Sequence, residues 1–161
     1  MSVRAVAIDL DSVLGDTRRL WMAFLEHASR RFHSIAPLQP DALPNDRSLA
    51  AEQLDVWATA GVGDWRRQLH RFAEDHAPVY LRPDAGAMAA LRALHETGVR
   101  IGVYTDAPQE LATVCLAQLG ASRRIAELCA GADARARLLT ALGPGASVAA
   151  SRAQLDALLP R

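Results

Sequence analysis

The 161-residue sequence has no lysine, because all 18 of its basic residues are arginines. It has only two cysteines, Cys115 and Cys129, which are too few for a disulfide framework and are not spaced as a metal-binding pair. We therefore expect free, buried thiols in a reducing compartment. The sequence also lacks a run of about 18 apolar residues, which excludes a membrane-spanning helix. Its first residues show no signal-peptide pattern, so we expect a cytoplasmic protein.

Excess charge of either sign is also missing. The 18 basic residues are balanced by 18 acidic ones, which leaves a formal net charge of zero. Such a chain has no long-range field to attract nucleic acid or an acidic membrane surface, so we expect neither as a partner. Half of the residues are hydrophobic, which is typical of a packed domain, and the length corresponds to about one domain.

The first half of the sequence predicts one strand followed by helices. Residues 3–10 form a short apolar run that ends in aspartate, as a buried strand does. A proline-containing loop is predicted from His33 to Asp46. Helices with one apolar face are predicted at 17–32, at 48–57 with Ser48 as N-cap, and from residue 64 to just before Pro78.

The second half alternates between helices and strands. Strands are predicted at residues 99–105, 125–130 and 146–150. Helices are predicted at residues 84–97, 107–119, 133–142 and 151–159. Strands that alternate with helices indicate an α/β fold, here a Rossmann-like parallel sheet with helices on both faces. The predicted core comprises residues 1–14 and 81–161, and residues 15–80 form an all-helical insertion, called the helical insertion below.

Polar side chains follow two of the predicted strands. Asp9 and Asp11 follow the first strand, and Thr105 and Asp106 follow the second. If the backbone stays extended, Asp9 and Asp11 share a face about 6–7 Å apart, where the two carboxylates favour a cation, a proton or both. One carboxylate can attack phosphorus, its neighbour can transfer protons, and a hydroxyl can hold the phosphoryl group. The alternative is that the aspartates only end the strand in a turn.

These residues resemble motifs of the haloacid dehalogenase (HAD) superfamily. Asp-Leu-Asp-Ser-Val-Leu at 9–14 is similar to its first motif, and residues 81–86 and 101–106 are similar to the approach to its second motif. The resemblance covers most of the chain. The helical insertion is similar in place and size to the helical cap of the phosphoglycolate-phosphatase-like branch.

The resemblance implies roles for particular residues. It implies Asp9 as nucleophile, Asp11 as acid and base, and Thr105 as a phosphate ligand, with Asp106 and Arg135 as further predicted phosphate-binding residues. It also implies Mg²⁺ held by the Asp9 carboxylate and the Asp11 backbone carbonyl. Aspartate at position 11 fits the phosphatase branch better than the dehalogenases.

Two departures from the family pattern reduce the expected activity. The lysine of the third motif is absent, and Arg135 or Arg137 lies in that region. Arginine does not simply replace lysine there, because its guanidinium is planar with a delocalised charge, whereas an ammonium is a compact point charge. The carboxylates of the fourth motif are also absent, since position 154 is Gln154. Asp133 is either a replacement metal ligand or a helix N-cap. Asp106 either reaches the metal or the helical insertion, or it is the N-cap of the following helix. We therefore expect Mg²⁺ to bind weakly or not at all.

Three functions remain open from the sequence. The leading hypothesis is a phosphomonoester hydrolase that acts weakly on a small phosphorylated metabolite. The second is a catalytically degenerate relative that serves as a phospho-ligand-binding or protein-interaction module. The third, a receiver-like phospho-acceptor domain, is disfavoured by the long helical insertion and the absence of lysine.

Overall fold

A computed structural model describes residues 3–33 and 40–161. The strands are β1 (Ala5–Asp9), β2 (Arg100–Thr105), β3 (Glu127–Ala130) and β4 (Ser147–Ala149). The α-helices are α1 (Arg18–His33), α2 (Arg47–Trp57), α3 (Trp65–Tyr80), α4 (Ala85–Glu96), α5 (Gln109–Gln118), α6 (Ala134–Leu142) and α7 (Arg152–Ala157). Single helical turns occupy Leu10–Leu14, Pro40–Ala42, Ala58–Val62 and Ser122–Arg124.

The four strands form one parallel sheet in the order β3-β2-β1-β4. All four predicted strands are present, and the predicted α/β class is confirmed. The register pairs Asp9 at the end of β1 with Tyr104 near the end of β2. The carboxyl ends of the two central strands therefore meet at one edge, which is where open parallel sheets bind ligands.

Helices cover both faces of the sheet. Val6 and Ile8 belong to the larger apolar cluster on one face, whereas Ala7 belongs to a smaller cluster with Leu138 of α6 on the other face. Helix α6 approaches β2 closely at Gly102, where an added Cβ would lie 2.6 Å from Leu138 Cδ1. Glycine at this position therefore lets α6 pack against the sheet.

The helical insertion packs around aromatic side chains. Trp21 and Trp65 stack edge to face with ring centroids 6.3 Å apart, and Phe24 and Phe72 do the same at 5.7 Å. These residues belong to the same apolar cluster as Ile8 of the sheet. The apolar core therefore continues from the sheet into the insertion, while the division into two domains stays a prediction.

Two predicted helix boundaries were wrong. Helix α2 is capped by Asp46 and not by Ser48, because Asp46 Oδ1 accepts hydrogen bonds from the backbone N–H groups of Ser48 (2.9 Å) and Leu49 (3.1 Å). The helix thus begins at Arg47, and the capped first turn fixes the backbone of this residue. Helix α3 runs through Pro78 to Tyr80, because the proline lies in the last turn and removes only one backbone hydrogen bond there.

Three further expectations concern the cysteines, the loop and the membrane. Cys115 is a buried free thiol as predicted, whereas Cys129 is only half-buried in the short strand β3. The predicted loop from His33 to Asp46 falls partly on residues 34–39, which lie outside the described residues. No helix in the described part of the chain is long and apolar enough to cross a membrane.

Candidate active site

The chain turns sharply after β1, so the extended backbone through Asp11 that strand alternation required is not formed. The strand ends at Asp9, and a helical turn begins at Leu10. Asp9 caps this turn, since its Oδ1 atom accepts hydrogen bonds from the backbone N–H groups of Asp11 (3.0 Å) and Ser12 (3.4 Å). Both aspartates nevertheless line the same cavity. A capping turn therefore brings together the two acids that the sequence placed there by strand alternation.

The two backbone hydrogen bonds to Asp9 both reach the same oxygen, Oδ1, and neither engages Oδ2. Burial raises the pKa of Asp9, the backbone hydrogen bond from Ser12 opposes this shift, and the charge of Asp11 adds to it. The Ser12 side chain adds a further hydrogen bond to the carboxylate, which also opposes the rise in pKa. A carboxylate with a raised pKa is more basic than an exposed one, which favours nucleophilic attack.

Asp11, in contrast, is fully engaged. Its Oδ1 atom accepts hydrogen bonds from Thr17 N (2.8 Å) and Thr17 Oγ1 (2.6 Å). Its Oδ2 atom accepts from Arg47 Nη2 (2.7 Å) and Thr105 Oγ1 (2.7 Å). Burial alone would raise the pKa of Asp11, but the charge of Arg47 and the hydrogen bonds from Thr17 lower it below its usual value. A carboxylate has about four lone-pair positions, so this one has no room for a proton. The predicted role of Asp11 as general acid therefore requires the loss of a donor.

Arg47 is a buried cation at the centre of the site. Its side chain is 4% exposed and projects from the first residue of α2. Besides Asp11, it donates from Nη1 to Thr17 Oγ1 (2.6 Å), from Nη2 to Thr105 Oγ1 (3.4 Å), and from Nη2 (2.6 Å) and Nε (3.2 Å) to Asp106 Oδ1. The helical insertion thus supplies a guanidinium to the sheet edge.

These residues line a cavity of about 660 Å³ between the sheet edge and the helical insertion. Five of its lining residues are aspartates and three are arginines, so its walls are acidic by a formal charge of two. The charged lining residues are Asp9, Asp11, Asp46, Asp106, Asp133, Arg18, Arg47 and Arg135. The volume fits a small metabolite.

The structure places the three predicted phosphate-binding residues differently. Thr105 is buried, and its hydroxyl donates to Asp11 and accepts from Ala107 N (3.2 Å). Asp106 pairs with Arg47 and so reaches the helical insertion, which was one of the alternatives predicted for it. Its predicted role in phosphate binding would therefore be indirect, through Arg47. Arg135 is exposed at the start of α6 and lines the cavity.

Two further residues named in the sequence analysis lie at the start of α6. Arg137 donates to the backbone carbonyls of Ala130 and Ala132, so it holds the β3–α6 connection. Asp133 has a left-handed backbone with φ of 53° and makes no side-chain cap hydrogen bond, although it precedes the helix. Asp133 also lines the cavity.

The described side chains do not form a complete metal-binding set by themselves. Among the residues that the structure describes, no group of three or more His, Cys, Asp or Glu side chains is arranged to hold a metal. The carboxylate of Asp11 is saturated, and the Oε1 atom of Gln154 accepts a hydrogen bond from Ala150 N (2.8 Å). Mg²⁺ usually takes one or two carboxylates together with phosphate oxygens and waters, so the predicted ligands, the Asp9 carboxylate and the Asp11 backbone carbonyl, would have to be completed by both. Binding of Mg²⁺ together with a phosphate ligand stays a prediction.

Sequence reasoning missed Arg47, Thr17 and Tyr104. Tyr104 lines the cavity, and burial raises the pKa of its hydroxyl, with the charge of Asp9 adding to the shift. Thr17 and Arg47 belong to no motif, and the partners of Arg47 lie 30 to 59 residues away in the chain. One signal was available: a site that lacks its expected lysine needs another cation, and Arg47 precedes the serine that the sequence marked as a helix cap.

The chain is an α/β domain with a parallel four-stranded sheet and paired acids where its central strands end. A family model described as haloacid dehalogenase-like hydrolase matches residues 3–141. The chain belongs to this family, which confirms the resemblance that the motifs indicated. No curated protein was found to be similar in sequence.

Solved structures share the fold at low sequence identity. A proposed phosphoglycolate phosphatase from Lactobacillus plantarum is 17% identical with a TM-score of 0.60, covering 99% of this chain and 84% of that one. CbbY from Rhodobacter sphaeroides, solved with phosphate, is 15% identical with a TM-score of 0.55 over 80% of this chain and 64% of that one. A proposed phosphoglycolate phosphatase from Haemophilus somnus is 15% identical with a TM-score of 0.54 over 82% and 64%. The chain therefore spans under two thirds of the length of the last two, and these likenesses establish the fold alone.

Proposed function

We propose that the protein is a phosphomonoester hydrolase in which Asp9 attacks the phosphorus of a small phosphorylated metabolite. The observation that carries the proposal is the asymmetry of the Asp9 carboxylate. Its Oδ1 atom is held by two backbone N–H groups, neither of which engages Oδ2, and the carboxylate lines the cavity. A nucleophile of this kind needs one fixed oxygen and one that can form a bond.

The reaction would proceed in two steps. Asp9 Oδ2 forms a bond to phosphorus while the ester oxygen leaves with its electron pair, which gives an aspartyl-phosphate and an alkoxide or phenoxide that takes a proton from solvent water. Water then attacks the aspartyl-phosphate and releases inorganic phosphate, which restores the carboxylate. Because Asp9 is ionised when it attacks, the first step consumes no proton at Asp9.

Two residues support the proposal as donors to the phosphoryl group. The hydroxyl of Thr105 lies at the carboxyl end of β2, beside the end of β1, and turning its proton from Asp11 to a phosphate oxygen would supply one donor. Arg135 lines the same cavity from α6 and offers a planar fork of donors to an oxyanion. A cavity of about 660 Å³ suits a small phosphorylated metabolite more than a macromolecule.

The test is phosphate release by the purified protein from a panel of phosphomonoesters, with and without Mg²⁺. Asp9→Asn should abolish release because the amide is not a nucleophile. Asp156→Asn is the matched control, because this aspartate lies on α7, outside the cavity, and is paired with Arg152. Release that persists unchanged in Asp9→Asn would overturn the proposal.

A second candidate function is phospho-ligand binding without turnover. The observation that favours it is the saturated carboxylate of Asp11, which in this arrangement cannot protonate a leaving group. This function predicts no release from any ester in the panel, together with a melting temperature that rises with phosphate concentration. Turnover that depends on Asp9 would exclude it.

A further inference from the structure

We propose that Arg47 is the phosphate-binding cation of this site and that Asp106 is an internal competitor for it. The inference rests on the proposed function for its class of ligand, a phosphate or phosphomonoester. Arg47 then takes the electrostatic place that a lysine would otherwise hold. Because the guanidinium comes from the helical insertion, the insertion completes the site.

The first support is the position of Arg47. Its guanidinium contacts Asp11 and Thr105, two of the residues at the sheet edge where the phosphoryl group is expected. The hydroxyl of Thr17 accepts from Nη1 and holds the opposite side of the group. The cation is thus fixed within the cavity walls before any ligand arrives, unlike the exposed Arg135.

The second support is the way Asp106 uses the guanidinium. The Nε and Nη2 atoms of Arg47 both donate to the single oxygen Oδ1 of Asp106, at 3.2 and 2.6 Å. This edge of an arginine can instead form two parallel hydrogen bonds with two oxygens of one oxyanion. A phosphate would therefore satisfy the edge better than Asp106 does.

The third support is the difference in burial between the partners. The side chain of Asp106 is 49% exposed, whereas those of Arg47 and Asp11 are 4% and 10% exposed. Asp106 can turn outward into solvent while Thr17 and Asp11 keep the guanidinium in place. The walls of the cavity carry two more acidic than basic side chains, so they oppose an anion until a carboxylate withdraws.

The experiment compares two variants with the same change of charge in the same cavity. Orthophosphate binding is measured by titration calorimetry in the presence of EDTA and, separately, of Mg²⁺. Asp106→Asn should tighten binding about tenfold, because it frees the Nε–Nη2 edge and removes a charge. Asp133→Asn is the matched control, since Asp133 lines the cavity but does not contact Arg47, and it should tighten binding by less than about threefold.

Arg47 variants then assign the effect to its guanidinium. In the Asp106→Asn background, Arg47→Gln should abolish the gain in affinity, and Arg47→Lys should restore only part of it, because an ammonium lacks the fork. Circular dichroism establishes whether each variant is folded. If Arg47→Gln does not fold, the orthophosphate affinities of Asp106→Asn and Asp133→Asn still test whether Asp106 competes for Arg47.

Three results would overturn the inference: equal tightening by Asp106→Asn and Asp133→Asn, no orthophosphate binding by any variant, or a gain that appears only with Mg²⁺. Failure of the proposed function looks different. Arg47-dependent binding without any phosphate release would remove the hydrolase and keep the binding site. Release that depends on Asp9 and is unchanged in Arg47→Gln would keep the hydrolase and remove the role of Arg47.

Discussion

Arg47 donates a 2.7 Å hydrogen bond to Asp11, and this buried ion pair joins residues 36 positions apart in the chain. Arg47 begins α2 in the helical insertion, and Asp11 lies in the turn after β1. The pair therefore ties the insertion to the edge of the sheet where β1 ends. Because both side chains are withdrawn from water, removing Arg47 leaves the buried carboxylate of Asp11 without a cationic partner.

Arg47→Met should destabilise the protein by about 3–5 kcal/mol, the usual effect of breaking a buried ion pair from one side. The measurement is the free energy of unfolding from urea titration at neutral pH. Arg18→Met is the matched control, since Arg18 pairs with Asp16 on the surface, and it should change stability by less than about 1 kcal/mol. Equal losses in the two variants would contradict the buried ion pair.

Asp11 should make stability depend on pH. Its folded-state pKa lies below the ordinary value of 3.8, so the unfolded chain binds more protons as the solution becomes acidic. Its stabilising contribution is therefore present above pH 3.8 and is lost as the pH falls through the folded-state pKa. The difference in unfolding free energy between the wild type and Asp11→Asn should narrow between pH 7 and pH 3, as followed by urea titration. A difference that stays constant or widens toward acid would contradict this assignment.

The fold could be predicted because its signals are local. The apolar runs of β1 and β2 and the alternation with helices appear directly in the sequence, and they placed Asp9 and Thr105 at neighbouring strand ends. The turn after Asp9 could not be predicted from alternation, because it depends on the capping of backbone N–H groups by that side chain.

Arg47 could not be predicted because its partners are not local. Its contacts with Thr17, Thr105 and Asp106 span 30 to 59 residues along the chain. Its placement also depends on capping by Asp46, since a helix that began at Ser48 would not fix Arg47 as its first residue. Long-range ion pairs of this kind leave no periodic pattern in one sequence.

The close approach of α6 to β2 gives a prediction for the scaffold. Gly102→Ala should destabilise the protein by about 1–3 kcal/mol, because the new methyl group would lie 2.6 Å from Leu138 Cδ1. In a Leu138→Ala background the same substitution should have a much smaller effect, since the clashing methyl groups are absent. The free energies of unfolding of the wild type, the two single variants and the double variant, from thermal or urea unfolding, give the coupling energy between the two positions. Strictly additive losses would show that the contact does not limit packing.

The environment of Asp11 predicts which esters the proposed hydrolase would cleave fastest. Even when Thr105 turns to the phosphate, the charge of Arg47 and the hydrogen bonds from Thr17 keep the pKa of Asp11 below its usual value. Asp11 is then ionised and does not protonate the departing oxygen, so a leaving group that is stable as an anion has the advantage. Aryl phosphates should exceed alkyl phosphates in kcat/KM by about 10²–10⁴, the contribution that general acid catalysis usually makes. Across a series of substituted phenyl phosphates, kcat/KM should fall steeply as the phenol becomes less acidic. A flat dependence would mean that a proton reaches the leaving oxygen, and it would contradict an Asp11 that stays ionised beside Arg47.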